Sequence, residues 1–295
     1  MLQSSYPAYV LITPARNEAE FIEHTIKSVI VQTVRPIQWM IVSDGSTDGT
    51  DDIVKKYAAG HSWIHLVRTP ERTERHFAGK VHAFNAGYEK VKDLQYEYIC
   101  SLDADITFDS DYFAFLLDKF EQISDLGVAG TPFVEAGFKY DYNFVSIDHV
   151  SGACQLFRRK CFEEIGGYKS IREGGIDWVA VTTARMMGWK TRTFTEKTCL
   201  HHRQIGTGKG HVLKAKFRVG RQDYYLGAHP LWEVFRAVYQ MTLKPYVLGG
   251  VLIYSGYVWA LLTRCQRPIT NDLIKFRRKE QMQRLKTFIF RTAGL

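Results

Sequence analysis

Three apolar runs, Tyr9–Thr13, Trp39–Ser43 and Tyr98–Leu102, each lead straight into a short loop rich in acidic side chains. The loops are Pro14-Ala15-Arg16-Asn17-Glu18, the string D-G-S-T-D-G-T at Asp44–Thr50, and Asp103-Ala104-Asp105. A short apolar run that stops at a turn is the pattern of a strand buried on both faces of a parallel sheet. All three loops then leave the carboxyl ends of strands, the rim where open α/β sheets bind ligands. Carboxylates gathered on one rim suit a cationic or metal-bridged ligand and place the chemistry in the first half of the chain.

The segments between these runs predict an α/β fold. Glu20–Gln32 carries Ile22, Ile26, Val29 and Ile30 at helical spacing. Asp51–Ala58 and Lys80–Lys90 read as further helices, and Ile64–Arg68 and Val128–Thr131 as strands. Asp111–Ile123 sets Phe113, Leu116, Leu117 and Phe120 on one helical face. This alternation predicts a mostly parallel sheet flanked by helices on both faces. From His149 the pattern is mixed: a strand near Ser151–Arg158, a helix near Lys160–Ile165, a glycine-rich loop at Gly166–Gly175, a helix over Trp178–Met187 and a strand near Thr191–Thr195.

The combination of P-x-R-N-E with D-G-S-T-D-G-T and Asp-Ala-Asp resembles the family-2 inverting glycosyltransferases, over about Tyr9 to Arg203. The resemblance implies a GT-A type fold and a nucleoside-diphosphate-sugar donor. In that family the residue matching Asp44 contacts the base, with the loop Pro14, Ala15, Arg16, Asn17 and Glu18 beside it; a carboxylate there can accept a base N–H. The plainer reading of Asp44–Thr50 is a turn and helix cap formed by Thr47 or Asp48. Asp103, Ala104 and Asp105 fall at the diphosphate. Two carboxylates approach a diphosphate only across a divalent cation, so Mg2+ or Mn2+ is the expected cofactor, with Asp103 and Asp105 as ligands; the bland alternative is a solvated loop or a cap for Asp111–Ile123.

Further positions follow from the same likeness. Gly79-Lys80-Val81-His82-Ala83-Phe84-Asn85-Ala86-Gly87 matches the family's G-K-x-x-A-x-N-x-G element, so Lys80 faces the pyrophosphate or the sugar, or is a surface lysine. An inverting transfer needs one base on the acceptor hydroxyl. The family takes it from an acidic pair after a G-G-aromatic turn. Gly166-Gly167-Tyr168 matches the turn and Asp177 the base, with Ile176 where the family usually has Glu; Glu173 and Glu135 stand next in line, and an ordinary helix cap is the rival role for Asp177. His201 or His202 can add a metal ligand or be structural. Arg203 can pair with the diphosphate, and the glycines of Gly206–Gly210 allow a closing loop.

Charge divides the chain. Residues 1–200 hold 22 Lys+Arg against 27 Asp+Glu, a net −5, and residues 201–295 hold 17 against 4, a net +13. The sequence is therefore divided into a catalytic domain over 1–205, with a nucleotide-binding half (1–105) and an acceptor half (106–205), and a tail over 206–295. The tail contains the uncharged run Pro245–Thr263 between Lys244 and Arg264. A basic tail with such a run suits an anionic membrane surface better than nucleic acid. Basic residues follow the run, so a single crossing is disfavoured. A re-entrant or in-plane helix around Gly249–Leu262 is expected, followed by a basic helix; a buried packing helix is the alternative. Five cysteines without C-x-x-C pairing, and no charged-then-apolar leader, fit a reducing compartment.

The expected activity is metal-dependent inverting transfer from a nucleoside-diphosphate sugar, UDP-linked, to a hydroxyl of a lipid-linked or polysaccharide acceptor at the cytoplasmic face of the membrane. Two other readings stand beside it. One is a nucleotide-sugar-binding scaffold without turnover. The other is a haloacid-dehalogenase-like phosphatase, because Tyr98–Thr107 reads as its D-x-D-x-T nucleophile motif, although two strand–loop units precede it here.

Overall fold

The three apolar runs form β1 (Tyr9–Ala15), β2 (Gln38–Asp44) and β4 (Tyr98–Leu102). With β3 (Ile64–Thr69), β6 (Leu126–Gly130), β8 (Cys154–Arg158) and β9 (Lys190–Thr193) they make a seven-stranded sheet of order β3-β2-β1-β4-β8-β6-β9. Every neighbouring pair is parallel except those made by β8, which runs antiparallel to β4 and β6. The computed structural model describes residues 6–70, 78–135, 146–203 and 212–293, and the chain divides into two compact units, 1–204 and 205–295.

Parallel register brings the strand ends together. Ala15 lies opposite Ser43, and Asp44 opposite Thr69. Leu102 pairs with Cys154, so the chain leaving β4 runs beside residues 151–153, where Asp103 N–H donates to the Ala153 carbonyl at 2.9 Å. One face of the sheet is covered by α1 (Ile22–Ile30), α2 (Thr50–Ala58) and α4 (Tyr112–Gln122). Ile22, Ile26 and Val29 of α1 and Phe113, Leu116, Leu117 and Phe120 of α4 are buried, as their helical spacing requires. The other face carries α3 (Ala78–Val91), lying over β1 and β2, while α5 (Arg159–Glu164) and α6 (Ile176–Met186) follow β8. The buried indole N–H of Trp39 in β2 is satisfied, because it donates to the Thr13 hydroxyl at 2.9 Å.

A second, three-stranded sheet of β5 (Ile106–Thr107), β7 (Phe133–Val134) and β10 (Cys199–His201) has the order β5-β10-β7. Sequence periodicity does not announce it, since strands of two or three residues are too short to show a period. It matters because His201 pairs with Ile106, next to Asp105.

The second unit is helical: α7 (Val212–Tyr225), α8 (Pro230–Met241), α9 (Tyr246–Leu262) and α10 (Asn271–Ala293). The first two lie beyond what the sequence pattern predicts. Proline at the first turn and the His229 ring, which accepts from Leu231 N–H at 3.2 Å, start α8. The uncharged run becomes α9, and no described helix is long and apolar enough to cross a membrane. One face of α9 is a packing face against α7 and α8: Gly249, Gly250, Ile253, Gly256, Tyr257 and Ala260 are buried. The glycine-rich segment Gly206–Gly210 lies outside the described residues.

Backbone contact between α7 and α9 depends on Gly220. A Cβ built there would sit 1.8 Å from the Ile253 carbonyl oxygen, which cannot retreat without moving α9. Alanine gains about 1 kcal/mol of helix propensity over glycine. Overpacking costs about 1–3 kcal/mol, and more when backbone must shift, so the steric effect wins. Gly220→Ala is expected to lower stability by at least about 1–2 kcal/mol in denaturant unfolding; a gain in stability would contradict this packing.

Candidate active site

The loops after β1 and β2 are sewn to each other. Asn17 N–H donates to the Ser46 hydroxyl at 3.1 Å, and Thr47 N–H donates back to Asn17 Oδ1 at 2.9 Å. Glu18 N–H donates to Thr50 Oγ1 at 2.9 Å, and Ala19 N–H to Asp48 Oδ2 at 2.9 Å. Asn17 sits at φ 55°, a left-handed conformation that asparagine tolerates and that turns its side chain back on the loop. Asp48 also accepts from Thr50 N–H at 3.1 Å and from the Thr50 hydroxyl at 2.6 Å, the turn chemistry this string suggests. The N-cap of α2 is Gly49, at φ 93°, rather than Thr47 or Asp48.

Asp44, buried at the end of β2, accepts from the Thr69 hydroxyl at 3.1 Å and lies 3.8 Å from the Arg16 guanidinium. Pro14 and Ala15 complete β1 beneath it. The strand ends therefore gather Pro14, Ala15, Arg16, Asn17, Glu18 and Asp44 at one corner of the sheet edge.

The Asp-Ala-Asp triplet divides its two carboxylates between two settings. Asp103 pairs with the Lys80 ammonium, which also donates to the Gly152 carbonyl at 3.2 Å. Burial opposes the Lys80 charge, but Asp103, with Asp177 and Asp105 adding, holds its pKa above the ordinary lysine value. Burial raises the Asp103 carboxyl against the pull of Lys80, and Asp105 adds to the rise. Lys80 is thus a half-buried counter-ion of Asp103 rather than a free surface lysine. Ala104 is pinned through its carbonyl by the Thr25 hydroxyl at 2.8 Å. The N-cap residue of α4 is Asp111, so neither carboxylate of the triplet caps that helix.

Asp105 is buried and faces the end of β10. His201 Nε2 lies 3.5 Å from Asp105 Oδ1, and Arg203 Nε 3.8 Å from Oδ2. The other ring nitrogen of His201 is buried with no hydrogen-bond partner among the described residues, 3.9 Å from Glu135. His202 turns the other way: its Nε2 meets Thr107 Oγ1 at 2.9 Å, and its ring stacks on His24 and Phe21. Burial and the neighbouring His24 hold the His202 pKa below its ordinary value. Of the two histidines named from sequence, His201 is the one brought to Asp105. Among the described residues no group of three or more His, Cys, Asp or Glu side chains is arranged to hold a metal by itself.

Arg203 pairs with Glu18 and lies 5.5 Å from the Phe21 ring centre, closing a circuit between the β10 end and the first loop. Burial pushes the Glu18 carboxyl up to about 7; Arg203 opposes the rise, and Asp105, Asp103 and Asp48 reinforce it.

Asp177 sits in the first turn of α6, after Gly175 at φ 87° takes the N-cap position, which corrects the cap reading of Asp177. It packs over Gly152, where an added Cβ would lie 3.1 Å from Asp177 Oδ2. Together with Lys80, Ser101, Gln155 and Tyr168 it lines a small pocket, open to solvent in part. The Tyr168 hydroxyl donates to Gln155 Oε1 at 2.6 Å, fixing the pocket's floor. Sequence reasoning missed Gln155, Ser101 and Gly152; the only signal was their proximity to β4 through the antiparallel register of β8. Glu173 is exposed, and Glu135 faces His201 instead of this pocket.

With this geometry in hand, likeness to known proteins places the chain. Residues 10–147 match the family described as glycosyl transferase family 2. Poly-β-1,6-N-acetyl-D-glucosamine synthase of Staphylococcus epidermidis is 25% identical over 198 residues, 60% of this chain and 44% of that protein. 4,4'-Diaponeurosporenoate glycosyltransferase of Staphylococcus aureus is 26% identical over 205 residues, 62% of this chain and 52% of that protein. The chain spans about half the length of these curated relatives. A mannosyltransferase of Pyrobaculum calidifontis, solved with GDP-Man and Mn2+, superposes with a TM-score of 0.59 at 18% identity, covering 97% of this chain and 87% of the other. The S. aureus TarS 1–349 structure gives 0.54 at 13% identity, covering 85% and 70%. Over residues 10–147 the chain is therefore similar to family-2 glycosyltransferase domains, and its fold is of the GT-A type.

Stability should depend on pH through Glu18. Its folded pKa, about 7, exceeds the unfolded value of 4.5, so its contribution to stability is full below the unfolded value and is lost as pH rises through 7. A tenfold difference in proton affinity between folded and unfolded chain corresponds to about 1.4 kcal/mol, less what solvent screens. Glu18→Gln abolishes this titration, so wild-type protein should lose up to about 2–3 kcal/mol relative to the variant between pH 5 and pH 8 in denaturant unfolding. Parallel pH profiles for the two proteins would refute the burial of this carboxyl.

Proposed function

We propose that the domain transfers a sugar from a nucleoside-diphosphate sugar to an acceptor hydroxyl with inversion. The single observation that carries this reading is the placement of Asp177 and Lys80 on one pocket wall, with Asp103 paired to Lys80 and continuous with Asp105. Residues 1–105 are read as the nucleotide half and 106–205 as the acceptor half. Asp44 and the Arg16–Glu18 loop take the base and ribose. A carboxylate already engaged by the Thr69 hydroxyl matches the single imide N–H of uracil better than the paired donors of a guanine edge, which supports a UDP-linked donor. Arg203 exchanges Glu18 for the diphosphate as the donor enters.

A divalent cation fits these residues. Asp105 offers a buried carboxylate, and His201 beside it has one ring nitrogen without a hydrogen-bond partner among the described residues, which supports this reading. Mg2+ and Mn2+ are commonly held by one or two protein ligands plus phosphate oxygens, so Asp105, with His201 beside it and Asp103 behind, suffices as the protein's share. When bound, the ion supplies electrostatic stabilisation of the departing nucleoside diphosphate. Lys80 opposes the rise that burial imposes on the Asp103 carboxyl and fixes its orientation. Asp177 takes the proton from the acceptor hydroxyl as that oxygen attacks the anomeric carbon.

The acceptor is proposed to be a lipid-linked or polysaccharide glycan of the cell envelope, handled at the cytoplasmic face of the membrane. Support comes from the polysaccharide synthase among the relatives and from the basic second unit. Asp177→Asn should keep UDP binding by calorimetry and lose transfer, because the carboxylate acts on the acceptor alone. Asp105→Asn should cut turnover on the order of 10²-fold by loss of a transition-state electrostatic contact. Donor binding without transfer or hydrolysis in wild-type protein, across a panel of UDP-sugars, would instead favour a sugar-nucleotide-binding scaffold.

A further inference from the structure

The second unit reverses the usual distribution of charge. In α8 the charged residues are Glu233 and Arg236, and both point inward. Glu233 is fully buried, with neither carboxylate oxygen hydrogen-bonded among the described residues. Arg236 pairs with Asp223 of α7, which also accepts from Arg277 of α10 at 3.0 Å. Burial, with Asp223 adding and Arg236 and Arg277 opposing, pushes the Glu233 carboxyl up to about 8. The outward face of α8 is apolar: Leu231, Val234 and Val238 are 61%, 45% and 58% exposed.

Helix α9 repeats the arrangement without any charge. Its glycine-bearing side faces α7 and α8, while Val247, Val251, Tyr254 and Leu262 are exposed at helical spacing on the other side, and Trp259, 46% exposed, lies at the edge of that face beside Phe217 and Arg221 of α7. Water-facing helices place charge outside and apolar groups inside; here the outer faces of two neighbouring helices are uncharged. Contiguous exposed apolar surface of this kind marks an interaction site.

We propose that the second unit docks on an anionic lipid bilayer through the outer faces of α8 and α9, with the flanking cations on headgroups. This deepens the membrane-face location proposed above and rests on it. Charge complementarity selects this occupant over a protein partner. Exposed Lys244 and Arg264 bracket α9, and from Arg264 onward the chain holds nine Lys and Arg against two Asp and Glu. A second copy of this chain would bring like charge to like charge. At 1.5 Å per residue, the 17 residues of α9 extend about 25 Å, short of the roughly 30 Å hydrocarbon core. An in-plane seat with the apolar face down satisfies both length and charge.

The test is flotation of the full chain with vesicles of phosphatidylcholine alone or mixed with phosphatidylglycerol. Wild-type protein should float with the mixed vesicles and at least about tenfold less with the neutral ones, as cooperating surface cations require. Val238→Asp with Val251→Asp should lower partitioning to mixed vesicles by about tenfold or more. Both positions are exposed, and UDP binding measured on the same samples should be unchanged, which separates failure of this docking from failure of the transferase reading. Phosphatidylcholine with brominated acyl chains, mixed into the anionic vesicles, should quench tryptophan emission, and Trp259→Phe should remove most of that quenching. Flotation of the double variant equal to wild type, or absence of quenching, would overturn the proposal. So would a wild-type dimer that the two substitutions dissolve while vesicles remain ignored, because that assigns the face to a second copy.

Discussion

The candidate site rests on reciprocal hydrogen bonds between the loops after β1 and β2. Each strand end is already fixed by parallel register, but register alone leaves two polar loops exposed to water. Asn17, Ser46, Asp48 and Thr50 convert them into one unit by using side chains of each loop to satisfy backbone N–H groups of the other. These bonds are individually worth about 1 kcal/mol. Their value lies in geometry, because they hold Asp44 and Glu18 at set positions before any ligand arrives, so ordering cost is not charged to binding.

A second layer of order comes from charge pairing across the rim. Lys80 from α3 meets Asp103 from the end of β4, and Arg203 from the end of β10 meets Glu18 from the first loop. Burial does most to raise the Glu18 carboxyl, and repulsion from Asp105, Asp103 and Asp48 adds to the rise. The two cations, each paired to one carboxylate of the rim, offset that crowding. The Asp103–Lys80 pair lies at the wall of the pocket that contains Asp177, half-buried on both sides, whereas the Arg203–Glu18 pair opens to solvent on its arginine side.

Much of this is legible in the sequence because the signals are local. Apolar runs that end in acidic loops mark the strands, and the spacing of Phe113, Leu116, Leu117 and Phe120 marks a helix face that is buried as expected. Four features are not legible, each for a physical reason. The small sheet that delivers His201 to Asp105 has strands too short for periodicity. The choice between His201 and His202 depends on which ring a turn directs inward, and adjacent residues in a strand point to opposite sides. The counter-ion role of Lys80 follows from a helix placed over the sheet, which no local pattern records. In the tail, an uncharged run reveals apolarity but not that one face is spent on packing against α7 and α8, nor that the charges of α8 are turned inward.

If this rim holds a nucleoside diphosphate, with the base recognised at Asp44 and the diphosphate gripped across a divalent cation at Asp105, metal must matter for the diphosphate and not for the base. Calorimetric binding of UDP and of uridine, each with Mn2+ and with excess chelator, separates the two. Mn2+ should strengthen UDP binding by about tenfold or more, equivalent to about 1.4 kcal/mol, and leave uridine binding unchanged. Equal affinity for UDP in Mn2+ and in chelator would show that no cation bridges the diphosphate to Asp105.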